Sequence, residues 1–308
     1  MGVRPGRSCG TSSAAEWFRP PDPGSVLSPI LLALGASISY GAADFTGGYT
    51  TRRISPVVVV LLSQMGGLAL LVLMAPVVGV GMFDLTHIAW GAGAGVVGGT
   101  GVILLYRALA AGRMSVVAPV TAIEAATIPV LFGLVTGERP SPVALWGILC
   151  GLVAVGLVSW SGDHPDGGRR GMAEAGMVDA SGAGLAFGVF FILLSRASQG
   201  NALWALLGVK LGSIALSGIA VILVRHSLRV ASQVTGLIAI AGFFDMAANV
   251  LYLLATRSGL LSLVAVLTSL YPATTVILAR IVLKEKLERV QLSGLTLAAL
   301  AIVMIARG

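Results

Sequence analysis

Apolar residues run along this chain in long blocks, and polar residues collect in the short breaks between them. Ten such blocks stand out, at 26–49, 56–80, 88–110, 115–136, 142–160, 182–199, 203–224, 234–256, 260–283 and 289–306. Crossing the hydrocarbon core of a bilayer takes about 20 apolar residues in a helix, so each block predicts a transmembrane helix. Most connections are a few residues long. The longest, 161–181 (SGDHPDGGRRGMAEAGMVDAS), is polar and glycine-rich and falls at the midpoint of the ten blocks, which reads as a linker between two halves. Residues 1–25 are polar, rich in Pro and Gly and without periodicity, and read as a mobile tail. Arg4 and Arg7 precede no adjacent apolar core with a cleavage site, so a cleaved signal peptide is not expected. The expected organisation is therefore a tail over 1–25, a first five-helix unit over 26–160, a linker over 161–181 and a second five-helix unit over 182–306.

The two halves resemble each other at one register. Glu138 and Glu285 each close an apolar block, 147 residues apart, and the same offset pairs Gly41 with Gly188, Ala108 with Ala255 and Gly112 with Gly259. It also pairs Ser115 with Ser262, Thr121 with Thr268, Thr127 with Thr274 and Gly147 with Gly294. Five spans per half is an odd number, so the second half enters the membrane from the opposite side. An inverted repeat of this kind is characteristic of secondary transporters, with the site between the halves.

Against this apolar background, three ionisable residues lie well inside blocks: Glu124, Lys210 and Asp245. At 1.5 Å of rise per residue, they come out roughly 15, 22 and 17 Å below the face carrying the 111–114 and 225–233 loops. All three therefore belong near the middle of a ~30 Å core. Asp245, Asn249 and Tyr252 share one helical face, Glu124 shares one with Thr121 and Thr127, and Lys210 shares one with Ser213 and Ser217. Tyr271, followed by Pro272, occupies the position that the register pairs with Glu124. A carboxylate at mid-membrane costs about 2.5–3.5 kcal/mol on insertion scales, so such residues mark pathways and binding sites by default. A buried Lys–carboxylate pair that only joins helices is the competing account. Lys210 can also snorkel along its stem. Asp44 lies near the end of its block and is expected to meet Arg52 or Arg53, while Arg107, Arg196 and Arg280 are expected to snorkel. Tyr40 and Trp204 are open to either a cavity or an interfacial role.

Composition narrows the classes. The chain is 56% hydrophobic and 11% charged with a mean hydropathy of +0.94, against about 25% charged in soluble proteins, which makes it a polytopic membrane protein. Forty-one glycines in 308 residues exceed the usual ~7% and point to close helix packing. The net charge of +7 does not indicate nucleic acid, because the arginines are scattered through short loops as interfacial anchors. Loop charges divide as seven on the side of the termini and ten on the other, a lean towards termini outside. Cys9 and Cys150 offer no disulfide framework.

One motif is a decoy. Gly93, Gly95 and Gly98 spell GxGxxG, but a dinucleotide fingerprint needs a strand before it and a helix starting at it. Gly91, Gly95 and Gly99, four residues apart inside an apolar block, read better as a packing face. His87, His164 and His226 are scattered in loops and at block edges, so neither a metal site, a hydrolase constellation nor any cofactor is expected.

Several stretches carry a family likeness: SISYGAADFTGGYTTRR, APVTAIEAATIPVLFGLVTGERPSPVALWG, AFGVFFILLSRAS, and LLATRSGLLSLVAVLTSLYPATTVILARIVLKEKLERVQLSG. Together they resemble EamA-type members of the drug/metabolite transporter superfamily over about residues 28–306. The Ser-Leu-Tyr-Pro stretch followed by Glu285 is similar to the hallmark of that family's second repeat, and Glu138 in GERPSP to its first-repeat counterpart. The resemblance implies ten helices in two inverted repeats, alternating access, and export or exchange of small metabolites such as amino acids. It also implies the cytoplasmic membrane with both termini in the cytoplasm, against the lean of the loop charges.

The expectation is an all-α polytopic secondary carrier, not an enzyme, moving a small polar metabolite, with protons as a candidate coupling ion. Asp245, Asn249, Tyr271 and Glu124 would line the site, with Lys210 as counter-charge or anion ligand. Glu138 and Glu285 would cap or anchor helices. A membrane enzyme using the midplane carboxylates for acid–base work, or a non-transporting membrane scaffold, remain the alternatives. A channel is disfavoured, since no re-entrant filter or charged ring is visible.

Overall fold

The computed structural model describes residues 27–51, 53–78, 82–111, 114–158, 170–197, 202–225, 228, 230, 232–283 and 289–307. The expected tail over 1–25 and the Lys284–Lys286 segment with Glu285 lie outside them. Every regular element among the described residues is a helix: α1 (Leu27–Thr51), α2 (Pro56–Val78), α3 (Leu85–Ala111), α4 (Met114–Val135), α5 (Pro142–Val158) and α6 (Arg170–Ala197). They continue as α7 (Ala202–Val224), α8 (Ser232–Ser258), α9 (Leu261–Thr268), α10 (Tyr271–Leu283) and α11 (Arg289–Arg307). Eight of the resulting spans are long and apolar enough to cross a membrane, and the apolar stretches Thr121–Val135 and Pro142–Val158 are shorter. The outward faces are themselves oily, with Leu73, Ile222 and Leu223 at least 70% exposed. That pattern suits a lipid environment, where backbone groups must be satisfied within helices.

Helix ends follow local chemistry. Pro56 and Pro142 open α2 and α5, where a missing N–H costs nothing. The Ser141 hydroxyl accepts from the Ala144 amide at 3.1 Å. Asp84 starts α3 by accepting from the amides of Thr86 and His87 at 2.9 and 3.2 Å. The His87 amide above all, together with the His87 ring, holds the Asp84 carboxyl below the usual carboxylate range. α4 ends in a Schellman turn: Glu138 N–H donates to Gly133 O and Gly137 N–H to Leu134 O. Gly137 sits at φ +101°, the left-handed region a glycine occupies without strain.

Two elements differ from expectation. The block at 260–283 is not one helix but two, α9 and α10, broken at Ser269–Leu270. Pro272 has no N–H to close the turn onto Thr268 and disfavours helical geometry in the residue before it. The turn tightens instead, with Leu270 N–H on Leu267 O at 3.3 Å and Ala273 N–H on Leu270 O at 2.9 Å. Secondly, α6 begins at Arg170 rather than near 182, so the latter part of the polar 161–181 segment is helical. Residues 161–169 lie outside the described residues.

Glycine sets how closely helices approach. On α3, a Cβ at Gly91 would strike the backbone of Ala205, one at Gly95 that of Val209, and one at Gly99 would lie 2.7 Å from Ser213 Oγ. α7 answers with Gly208 and Gly212, whose added carbons would strike the backbone of Ile88 and Ala92. The two helices thus meet backbone to backbone, the close approach small residues permit. Gly93 has nothing within 4 Å, so the GxGxxG spelling has no common structural role. Gly242 of α8 meets the Ser63 backbone of α2 in a similar way.

Candidate functional site

The packing of α2, α7 and α8 brings together three polar side chains that lie far apart in sequence. Lys210 of α7 is fully buried, and its Nζ donates to Asp245 Oδ2 of α8 at 2.5 Å. The same ammonium donates to Gln64 Oε1 of α2 at 2.8 Å, and Gln64 Nε2 donates to Asp245 Oδ2 at 3.2 Å. One turn along α8, Asn249 Nδ2 donates to the Asp245 carbonyl at 2.7 Å and to its Oδ2 at 3.3 Å. Tyr40 of α1 completes the chain by donating its hydroxyl to Asn249 Oδ1 at 3.1 Å. Four helices are therefore joined by one polar network. Gly67 makes room for it, since a Cβ there would lie 3.1 Å from both Lys210 Cε and Nζ.

This network forms one wall of a cavity with about 560 Å³ of empty volume, a figure that includes space open to the outside. Asp245, Asn249, Gln64 and Tyr40 line it, together with Asp44, Ser213 and Tyr271. Phe187, Phe190 and Phe191 of α6 and Gly95, Gly98 and Gly99 of α3 line it as well. Gly98 is needed there because a Cβ would come within 2.7 Å of Phe190.

The lining residues pair up at the repeat offset. Tyr40 and Phe187, Asp44 and Phe191, Gly98 and Asp245, and Val102 and Asn249 are each 147 residues apart, and all eight line the cavity. Equivalent positions of the two halves thus face one space. Their chemistry is not equivalent: in each of the last three pairs, one member is charged or amide-bearing and the other is aromatic, aliphatic or glycine.

Of the residues expected to form the site, Asp245, Asn249 and Tyr271 line the cavity. Lys210 stands behind it, at 0% exposure. Glu124 is elsewhere. It lies where α4 packs on α6, so close that a Cβ on Gly184 would come within 2.6 Å of Glu124 Oε2. Its buried Oε2 has no hydrogen-bond partner among the described residues, and the neighbouring Thr121 hydroxyl donates to Ala180 O at 3.0 Å. Tyr252, on the Asp245 stripe, is a core residue: it is fully buried, donates to Phe191 O at 3.1 Å and packs on the Phe191 ring at 4.7 Å.

Two cavity residues escape the sequence reading. Asp44 does not meet Arg53, whose guanidinium lies 6.0 Å over the Tyr49 ring; Arg52 lies outside the described residues. Gln64 was hidden in the run VVVVLLSQMGGLALL, where a lone amide among valines and leucines is the signal that could have found it. Three residues near span ends find partners. Arg107 pairs with Asp179 at 3.4 Å, Arg196 lies 5.3 Å over the Phe132 ring, and Trp204 donates to Met82 O at 2.8 Å. Glu138 caps α9, accepting from the amides of Leu261 and Ser262 at 2.6 and 3.0 Å. Among the described residues, no group of three His, Cys, Asp or Glu could hold a metal ion.

Helices long and apolar enough to cross a membrane, exposed apolar outward faces and an ion pair buried in their midst define a multi-pass membrane protein. The chain belongs to the EamA-like transporter family, whose model matches it twice, over residues 27–160 and 175–307. It is accordingly a membrane transporter of the drug/metabolite type. No curated protein matches it in sequence. A solved crystal structure shares the fold with a TM-score of 0.74 at 18% identity, covering 92% of this chain and 99% of that one.

Proposed function

We propose that the protein is a secondary active transporter that exports or exchanges a small polar metabolite across the plasma membrane by alternating access. In this reading ten spans form two inverted five-helix repeats, 26–160 and 182–306, with both termini in the cytoplasm. The observation that carries it is the cavity itself. It is lined by residues one repeat apart, as expected where a site lies on the pseudo-two-fold axis between inverted repeats. Asp245, Asn249, Gln64, Tyr40 and Tyr271 contact the solute, and Asp44 supplies a further carboxylate. Lys210 serves as the counter-charge of Asp245 and not as an anion ligand, because its ammonium is buried behind Gln64 and Asp245. Glu124 joins α4 to α6 and takes no part in binding. A proton is the coupling ion most easily accommodated, since cavity carboxylates can bind and release one as the site changes sides.

The test is an extracellular metabolite profile of cells expressing the wild type, Asp245→Asn or an empty vector, with membrane levels matched. Export predicts that one class of small solute accumulates outside with the wild type only. Equal accumulation with the variant would remove Asp245 from the mechanism. No difference among the three would exclude constitutive export and favour uptake, a membrane enzyme or a scaffold.

A further inference from the structure

The charged groups around the cavity do not cancel. Asp245 is neutralised by Lys210 at 2.5 Å, and that ammonium is wholly enclosed by protein, so the pair presents little net charge to a solute. Asp44 is different. It lines the same cavity, on the same face of α1 as Tyr40 one turn earlier, and no ion pair or hydrogen bond to its side chain exists among the described residues. Arg53, which follows α1, lies 6.0 Å over the Tyr49 ring. A carboxylate without a partner in a cavity within an apolar bundle is costly unless it takes up a proton, and an occupant that offsets the cost while the group is ionised is a cation.

The remaining walls point the same way. Tyr271, Tyr40, Phe187, Phe190 and Phe191 line the same space as Asp44. Aromatic rings attract cations through their quadrupoles and also accept apolar bodies. Among the described residues, no basic side chain lines the cavity to receive a solute carboxylate, and Lys210, buried beside it, already holds two partners. We infer that this cavity selects an organic amine or ammonium with an apolar body, its positive head at Asp44, and discriminates against carboxylates. The inference rests on the cavity being the transport site and names the class of solute that the site takes.

The test uses purified full-length protein in lipid nanodiscs and equilibrium binding of three probes of one shape: 2-phenylethylamine, L-phenylalanine and 3-phenylpropanoate. The expected order is amine first, zwitterion weaker by at least tenfold, and anion without measurable binding. Asp44→Asn should weaken the amine at least tenfold, and Asp44→Glu should retain most of the affinity. Both variants are checked for an unchanged melting profile, so that loss of binding is not loss of fold. Equal or tighter binding of 3-phenylpropanoate, failure of all three probes to bind, or an Asp44→Asn affinity within twofold of wild type would each overturn the assignment. Flux of the same amine into proteoliposomes separates the two claims. Asp44-dependent binding without flux leaves the cation site standing and removes the transport reading, whereas flux of the anion with no amine binding does the reverse.

Discussion

Lys210 Nζ lies 2.5 Å from Asp245 Oδ2, with the lysine wholly inside the helix bundle and the aspartate open to the cavity on one side only. Each charge makes the other tolerable there. A buried pair need not stabilise a protein relative to apolar residues, but breaking it leaves one charge stranded, at a cost of about 3–5 kcal/mol. Lys210→Met should therefore lower the melting temperature in detergent markedly. The double variant Lys210→Met/Asp245→Asn should recover much of the loss, because the stranded carboxylate is gone. Equal melting of the single and double variants would show that the two residues are not energetically coupled.

The α3–α7 contact makes a prediction on two glycines only two residues apart. Gly95→Ala drives a methyl into the Val209 backbone and should cost roughly 1–3 kcal/mol as overpacking. Gly93→Ala meets nothing within 4 Å and should be neutral or slightly stabilising, given alanine's helix preference of about 1 kcal/mol over glycine. Comparing the thermal stability of the two variants checks this; similar losses would refute the packing assignment.

Glu138 ties the end of the first half to the start of α9. Its two carboxylate oxygens accept the Leu261 and Ser262 amides, and both residues are buried, so water cannot easily replace them. Loss of a cap costs roughly 0.5–2 kcal/mol. Glu138→Ala should show that loss in melting and Glu138→Gln a smaller one, with solute affinity at the cavity unaltered in either. A fall in affinity with unchanged stability would contradict a capping role.

Tyr40 holds Asn249 by one hydroxyl while its ring stands edge-on to Phe191 at 5.9 Å. Tyr40→Phe removes the first contact and keeps the second. A neutral hydrogen bond contributes about 0.5–1.5 kcal/mol net, so stability should change little, whereas initial rates of solute flux should fall severalfold as Asn249 loses its orientation. Unchanged flux would place Tyr40 outside the working site.

The helical architecture was largely legible because membrane insertion writes itself into long apolar runs, and the packing role of Gly91, Gly95 and Gly99 was legible from their four-residue spacing. The Asp245–Asn249 stripe was visible for the same reason: helical periodicity puts i and i+4 on one face. What periodicity does not reveal is which way a helix is turned about its axis. Glu124 illustrates this limit, since counting residues gives its height in the membrane but not the neighbour it faces, which is α6 and not the cavity. Asp44 was misplaced because a span boundary drawn at residue 49 put it close to the water, whereas α1 continues to Thr51 and the cavity reaches it. Gln64 needed its partner, and that partner is 146 residues away. The break at Ser269–Leu270 was foreshadowed by Pro272, but a proline can kink a helix or interrupt it, and only the surrounding hydrogen bonds distinguish the two.

Alternating access requires that one residue in the cavity meet both sides of the membrane in turn. Val102 lines the cavity without joining the polar network, so a cysteine there, with Cys9 and Cys150 replaced by serine, is a suitable reporter. A membrane-impermeant thiol reagent would be applied to right-side-out and inside-out vesicles. Alternating access predicts labelling of Val102→Cys from both faces, with the rates shifting in opposite directions when a transported solute is added. Labelling from one face only, unchanged by any solute, would mean a dead-end pocket and would contradict the transport account.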